Sequence, residues 1–461
     1  MAPDVTGVAM PLPRLALFHG RLGDSRLAEV EACAPDLAEW RWDPAVFATH
    51  GGDVGPSIVQ PLAAEAGDAQ LAAAAARAVS CRGAFEVWGT GQTVEACAAA
   101  TEAVSVDHIR ARITGAWRIE SVVLGARRSE DGRDLGMRVA HLGHVLDALA
   151  DRPVRLRGPA QELWLVEDHR THRDGSALPG SPPRFLLLLR LPTETPDSHA
   201  LLRRLDLRRR PFLSTTTLRV DRSLLLCNLG LAGAGPNATL LDPYCGSGSL
   251  LLAGAALGAA TVGADINWRM VSDNRWPLGI RPTADRPQRG IERVRMRDNF
   301  TEAGLPEPKA LLALDMAAAD AAAQLLEANG GHRYDAVVTD PPYGRREFQR
   351  GEAGWDGALT FKVHEAALGG TLDRLMALAS AVLRPGGRLV FLTPVRSPRD
   401  PSKPTEAILR AGLSAGGRGH GLTLLHTGVE VIHGGLHRAA VVMGHGPDDP
   451  SRHPAVRTMP G

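Results

Sequence analysis

After Pro211 the chain repeats one pattern: a short apolar run, an acidic or small-residue turn, then a helix-forming stretch. The runs are Ala238–Asp242, Thr261–Ile266, Leu311–Asp315, Asp335–Asp340 and Arg388–Thr393. Strands alternating with helices pair in parallel through crossovers that cover both faces, so the pattern predicts a doubly wound α/β sheet. In such sheets ligands gather outside the carboxyl ends of the strands. Asp242, Asp265, Asp315 and Asp340 fall at those ends. A last pair of runs, Leu422–Val429 and Arg438–Met443 around Gly434-Gly435, predicts an antiparallel hairpin closing the sheet.

The front half has a different texture. Leu15–Phe18 reads as a strand, Ser25–Cys33 as a helix and Leu71–Val79 as an Ala-rich helix; Trp117–Leu124, Val154–Val166 and Phe185–Leu191 read as strands, with a helix over Met137–Ala150. Two small α+β modules follow, with a boundary at residues 78/79. Residues 192–211 read as a linker, because Pro192, Pro196 and Pro211 punctuate a stretch carrying Arg203, Arg204, Arg208, Arg209 and Arg210. A basic contact face and a merely solvated linker are both compatible with it. At 461 residues, 44 % apolar and 22 % charged, the chain is globular and multidomain.

Composition settles little else. The net charge is +1, so a nucleic-acid partner must meet a local basic patch, and only three of the 52 basic residues are lysine (Lys309, Lys362, Lys403). Arginine abundance in a chain this rich in Ala, Gly and Pro earns little functional weight. Five cysteines without a C-x-x-C pair exclude a zinc ribbon or disulfide framework. His141 with His144, and His433 with His437, lack zinc-site partners and read as surface or core histidines, so no metal is expected. Without a signal peptide or a long apolar run, the expectation is a soluble, cytoplasmic protein with no membrane contact.

The first chemical motif is Asp242-Pro-Tyr-Cys-Gly-Ser-Gly-Ser249. Gly246 and Gly248 let backbone approach a ligand closely, and amides at the helix start suit a carboxylate or phosphate. Leu251 stands where G-x-G-x-x-G would place its third glycine, which disfavours a dinucleotide site and leaves an ordinary tight βα turn as the alternative. Asp265, ending the next strand, can accept from both hydroxyls of an adenosyl ribose, and Ile266 then packs on the adenine. Asp315 can accept from an adenine amine or cap a helix before Ala317; both remain open.

The decisive motif is Thr339-Asp340-Pro341-Pro342-Tyr343-Gly344. An exocyclic base amine is a poor nucleophile because its lone pair is delocalised into the ring. The Asp340 carboxylate and the Pro341 carbonyl can both accept from it, freeing and aiming the lone pair. Pro341 and Pro342 stiffen the loop and Tyr343 offers a face for stacking.

Taken with Arg208-Arg-Arg-Pro-Phe-Leu-Ser-Thr-Thr-Thr217, Gly263-Ala-Asp-Ile266 and Arg345, these motifs resemble the tRNA guanine-10 N2-methyltransferase family over about residues 205–395. The resemblance implies a Rossmann-like class I methyltransferase domain with a mostly parallel seven-stranded sheet at 208–461. It implies a ferredoxin-like α+β module at 1–78, a THUMP-like RNA-binding domain at 79–191 and a basic linker at 192–207. The implied reaction moves a methyl group from S-adenosyl-L-methionine to the N2 amine of a tRNA guanosine, with no metal.

By the same resemblance Asp340, Pro341, Pro342 and Tyr343 are catalytic. Asp242, Tyr244, Gly246 and Gly248 hold the methionine end, Asp265 the ribose, Ile266 and Asp315 the adenine. tRNA is the partner, and some relatives need a small zinc-binding activator subunit. The stretch Arg281–Arg297 departs from the family in length and arginine content, as an RNA contact or a solvated loop. Two alternatives stand beside this reading: a DNA adenine-N6 or cytosine-N4 amino-methyltransferase, since the same chemistry serves any flipped base amine, and a catalytically idle RNA-binding protein, against which intact Asp340, Gly246 and Gly248 speak.

Overall fold

The computed structural model describes residues 12, 14–18, 25–33, 59–62, 67–124, 135–169, 183–194, 198–214, 217–273, 294–342, 365–397, 403–432 and 436–446. The front half builds one sheet from β1 (Arg14–Phe18), β2 (Val59–Leu62), β3 (Cys81–Gly91), β4 (Trp117–Leu124), β5 (Gln161–Asp168) and β6 (Arg184–Arg190). Their order is β2-β1-β3-β6-β5-β4. β3 carries this sheet across the boundary expected at 78/79: its first residues pair with β1 and its last with β6, from Phe85↔Arg190 to Gly91↔Phe185. β6 is covered on both faces, with Phe185, Leu187 and Leu189 in one core cluster and Leu186 and Leu188 in another. An unbroken apolar run is what such a strand requires.

Three expectations for this half need correction. The stretch Met137–Ala150 forms two short helices, Leu135–Val139 and Gly143–Ala148. Gly143, a weak helix former, marks the break, next to the fully buried Leu142. The strand expected from Val154 is only β5, because Gly158 at φ +61° and Pro159 interrupt it, leaving Val154 a single bridge to Trp117. The supposed linker contains the helix Ser198–Arg204 and a 3-10 turn at Leu207–Arg209, with Leu205 buried between them.

The second sheet comprises β7 (Thr239–Asp242), β8 (Ala260–Asp265), β9 (Ala310–Ala313), β10 (Tyr334–Thr339), β11 (Leu383–Val395), β12 (Leu422–Ile432) and β13 (Leu436–His445). The order is β12-β13-β11-β10-β7-β8-β9, parallel from β11 to β9, with the β12–β13 hairpin antiparallel. Leu240, Ala336, Val338, Val390 and Leu392 share one core with Leu224 and Leu251. Leu241, Val337, Leu389 and Phe391 share the other with Leu325, Leu375 and Leu413. Both faces are therefore buried, as a doubly wound sheet demands. The chain leaves β7 toward β8 and β9 and then returns to β10 on the opposite side of β7. This reversal is a topological switch point, at whose carboxyl edge, between β7 and β10, such sheets bind ligands.

The two sheets are joined through the front helix Ser25–Cys33, which packs on the helix Val220–Gly230. Glu29, fully buried, accepts from Val79 N at 3.0 Å, Ser80 N at 2.9 Å, Ser80 Oγ, and Asn228 Nδ2 at 2.8 Å. Burial pushes its carboxyl pKa up against those four donors. Ala32, Val79 and Leu205 belong to the same core cluster as Leu224 and Leu229, so the front half completes the hydrophobic core behind the second sheet. Replacing Asn228 by Ala strips one donor from Glu29 and should lower stability by about 1–3 kcal/mol. In urea both halves should unfold in one shifted transition; an unchanged midpoint would show that the seam contributes nothing.

Candidate active site

Asp242 ends β7 with its side chain buried (2 % exposed). Its Oδ1 accepts from Tyr244 N at 3.1 Å and from Thr339 Oγ1, at the end of β10, at 2.7 Å. That second bond ties the glycine turn to the Asp340 loop across the switch point. Asp265, ending β8, accepts from Gly246 N with Oδ2 and from Asn267 N with Oδ1, each at 2.8 Å. Three strand ends are thus laced together by two carboxylates.

The turn needs its glycines. Gly246 (φ +49°) and Gly248 (φ +79°) lie in the left-handed region, which a side chain disfavours. A Cβ on Gly246 would meet nothing within 4 Å, so the turn faces open space there, whereas one on Gly248 would strike Met296. Leu251, in place of a third glycine, is accommodated from the strand side: a Cβ on Gly263 of β8 would fall 2.5 Å from Leu251 Cδ1. The close approach of helix and sheet survives with the glycine on the other partner.

The Asp242 carboxyl is pushed up to about 7, mainly by burial and to a lesser extent by the nearby Asp265 and Asp340 charges, against the opposing bonds from Thr339 and Tyr244. Burial also raises Asp265, against its two backbone donors. Ile266 is 44 % exposed beside it. Asp315 accepts from Ala317 N at 2.9 Å, as a capping acid would, without an α-helix beginning there. Tyr244 is partly buried against the core. Asp340, Pro341 and Pro342 follow β10, and Arg438 Nη1 of β13 donates to Asp340 Oδ2 at 3.3 Å. Tyr343, Gly344 and Arg345 lie outside the described residues, as does His433.

The upstream stretch is stitched to this turn. Arg210 donates from Nε to Leu205 O at 3.0 Å and from Nη1 to Ser249 Oγ at 2.8 Å, and Thr217 Oγ1 lies 2.9 Å from Ser247 Oγ. The basic face expected there is therefore split. Arg210 is buried and structural, Arg204 bonds the carbonyls of Ala303 and Gly304, and Arg208 and Arg209 point outward, Arg208 paired with Asp206. Of Arg281–Arg297, residues 281–293 lie outside the described residues; Arg295 and Arg297 pair with Asp273, Asp298 and Glu307. Arg438 lies in no local motif, so sequence reasoning missed it, whereas Arg210 and Ser247 stand inside quoted motifs that gave them no role of their own.

Residues 208–356 match the family model described as UPF0020: RMKL-like, methyltransferase domain. This segment is thus similar to the methyltransferase domains of that family. The chain is 27 % identical over 272 residues to "tRNA (guanine(10)-N(2))-methyltransferase TRMT11" of Rattus norvegicus, covering 55 % of this chain and 54 % of that protein. It is 25 % identical over 344 residues to the Homo sapiens protein of the same name, covering 70 % and 68 %. The Rattus match thus spans about half of that relative's length. A crystal structure of TrmN from Thermus thermophilus aligns over 94 % of this chain and 99 % of its own, at 17 % identity and a TM-score of 0.39.

A carboxyl raised from 3.8 to about 7 holds a proton in the folded state that the unfolded chain has released. Stability should therefore fall as pH rises across that interval. Asp242→Asn keeps an oxygen for Thr339 and removes this titration, so urea midpoints between about pH 4 and 7 should slope less steeply than in the parent, Asp265 supplying what slope remains. Parallel slopes would show that Asp242 is not the proton-linked group.

Proposed function

We propose that this chain transfers a methyl group from S-adenosyl-L-methionine to the exocyclic N2 amine of a guanosine in tRNA, at position 10 as in the relatives' names. The observation that carries the proposal is the Asp242–Thr339 hydrogen bond at the switch point. It sets a glycine turn suited to a cofactor beside an Asp-Pro-Pro loop suited to an amine.

The residues present fit that cofactor. The turn at Gly246 opens onto free space, and each Asp265 oxygen takes one backbone donor while keeping a lone pair for a ribose hydroxyl. Ile266 offers an exposed apolar surface for the adenine, and Asp315 an acceptor for its amine. When bound, S-adenosyl-L-methionine supplies a methyl group made electrophilic by its sulfonium. The remaining work belongs to Asp340 and Pro341, whose carboxylate and carbonyl accept from the guanine NH2 and turn its lone pair toward the methyl. Pro342 stiffens the loop and Tyr343 stacks the base. In this reading residues 79–191 act as a THUMP-like grip on tRNA and 1–78 as a ferredoxin-like module, with Arg208 and Arg209 facing the phosphates; the protein works in the cytoplasm. Among the described residues no helix is long and apolar enough to cross a membrane.

Tritiated methyl transfer to unmodified tRNA and duplex DNA, followed by nucleoside analysis, tests the proposal. Asp340→Ala should lose about 10²–10³ in rate with cofactor affinity within a few-fold. Asp265→Ala should instead weaken cofactor binding in calorimetry by about 1.5–3 kcal/mol. Label in N6-methyladenine of DNA and none in tRNA would overturn the substrate, and a fully active Asp340→Ala would overturn the mechanism.

A further inference from the structure

The Asp340 carboxylate is aimed from two strands away. Arg438 of β13 lies opposite Pro394 of β11, and Thr339 of β10 lies opposite Phe391, so the guanidinium reaches across β11 to Asp340 Oδ2. Both side chains are about a quarter exposed, at 22 % and 24 %. Behind Arg438, Glu430 of β12 stands directly opposite in the hairpin register. Glu430 accepts from Arg222 Nε at 2.7 and 3.1 Å, and both side chains of that pair are buried, at 6 % and 8 % exposed. Arg222 lies in the first turn of the helix that carries Asn228. Ser25, at the start of the front helix, closes the hollow of about 10 Å³ that Arg222, Glu430, Gly428 and Ala440 also bound.

We propose that Arg438 is the positioning residue for Asp340, and that Glu430 and Arg222, sealed by the start of helix Ser25–Cys33, determine where Arg438 stands. The inference rests on the amine-methylating reading of the Asp-Pro-Pro loop. An exposed ion pair would contribute little, but this one solves a specific difficulty. Asp340 must stay ionised to accept from an amine, since a protonated carboxyl is itself a donor. The Asp242 carboxyl, itself largely protonated below about pH 7, lies close by and supplies no cation, whereas a guanidinium beside Asp340 favours its ionised form. Arg438 supplies the opposing cation and fixes the carboxylate's rotation.

Around this pair the charged groups come from several elements: Asp242 from β7 lies near Asp340, Glu430 from β12 stands opposite Arg438, and Arg222 from the helix pairs with both Glu430 and its neighbour Asp221. Glu430 would restrain Arg438 laterally, and its own charge is taken up by Arg222. Such an arrangement makes the aim of Asp340 depend on how the front helix seats.

The test uses the full chain with unmodified tRNA, comparing Arg438→Met, Arg438→Lys and Glu430→Gln. Arg438→Met should lower kcat about 10²-fold, the cost of misaiming a reacting group, while KM for tRNA and the calorimetric cofactor affinity stay within about threefold. The acidic limb of its kcat–pH profile should move to higher pH, and Arg438→Lys should restore the limb and most of kcat. Glu430→Gln should show a smaller loss of the same kind. An unmoved limb, or kcat within about twofold of the parent in Arg438→Met, would overturn the inference and leave the guanine reading standing. Parent enzyme labelling a different base amine would overturn the guanine reading while the Arg438 comparison proceeds on that amine, and absence of transfer to any base would overturn both.

Discussion

The site depends on one buried hydrogen bond, from Thr339 Oγ1 to Asp242 Oδ1 at 2.7 Å. β7 and β10 are neighbours in the sheet but 97 residues apart in the chain, and their carboxyl ends diverge where the topology reverses. The hydroxyl bridges that divergence. It satisfies a carboxyl that burial would otherwise leave short of donors, and it fixes the height of the glycine turn against the Asp340 loop. Asp265 makes the matching tie on the other side, holding the Gly246 amide from β8.

Close approach at the turn is shared out between helix and strand. Gly248 makes room for Met296, while Gly263 makes room for Leu251. A helix that lacks a glycine can still lie close to its sheet when the strand beneath supplies one. The upstream segment then closes the turn from behind through Arg210–Ser249 and Thr217–Ser247.

The front half is structurally part of the framework of the second sheet. Glu29, buried with four donors from both halves, and the shared cluster of Ala32, Val79, Leu205 and Leu224 make the seam a continuation of the core. A buried, hydrogen-bonded carboxylate at such a seam tolerates little sliding, because any movement strips it of partners. The same seam runs on to Ser25, Arg222 and Glu430, beneath the strand that holds Arg438.

The sequence alone determined the doubly wound sheet, the closing hairpin and the strand-end acids, because apolar periodicity and strand-terminal Asp and Gly are local signals. It located Asp242, Gly246, Gly248, Asp265 and Asp340 at the carboxyl edge for the same reason. Gly158 and Pro159 already held the information that shortened β5, and the strand reading passed over them. Tertiary structure decided what no local window contains. Arg208 and Arg210 are alike in sequence, yet one is exposed and the other buried against Ser249, because a 3-10 turn points them apart. Arg438 meets Asp340 from 98 residues away, a meeting that exists only because the hairpin adds to the sheet beside β11 and brings a cation over the strand between them.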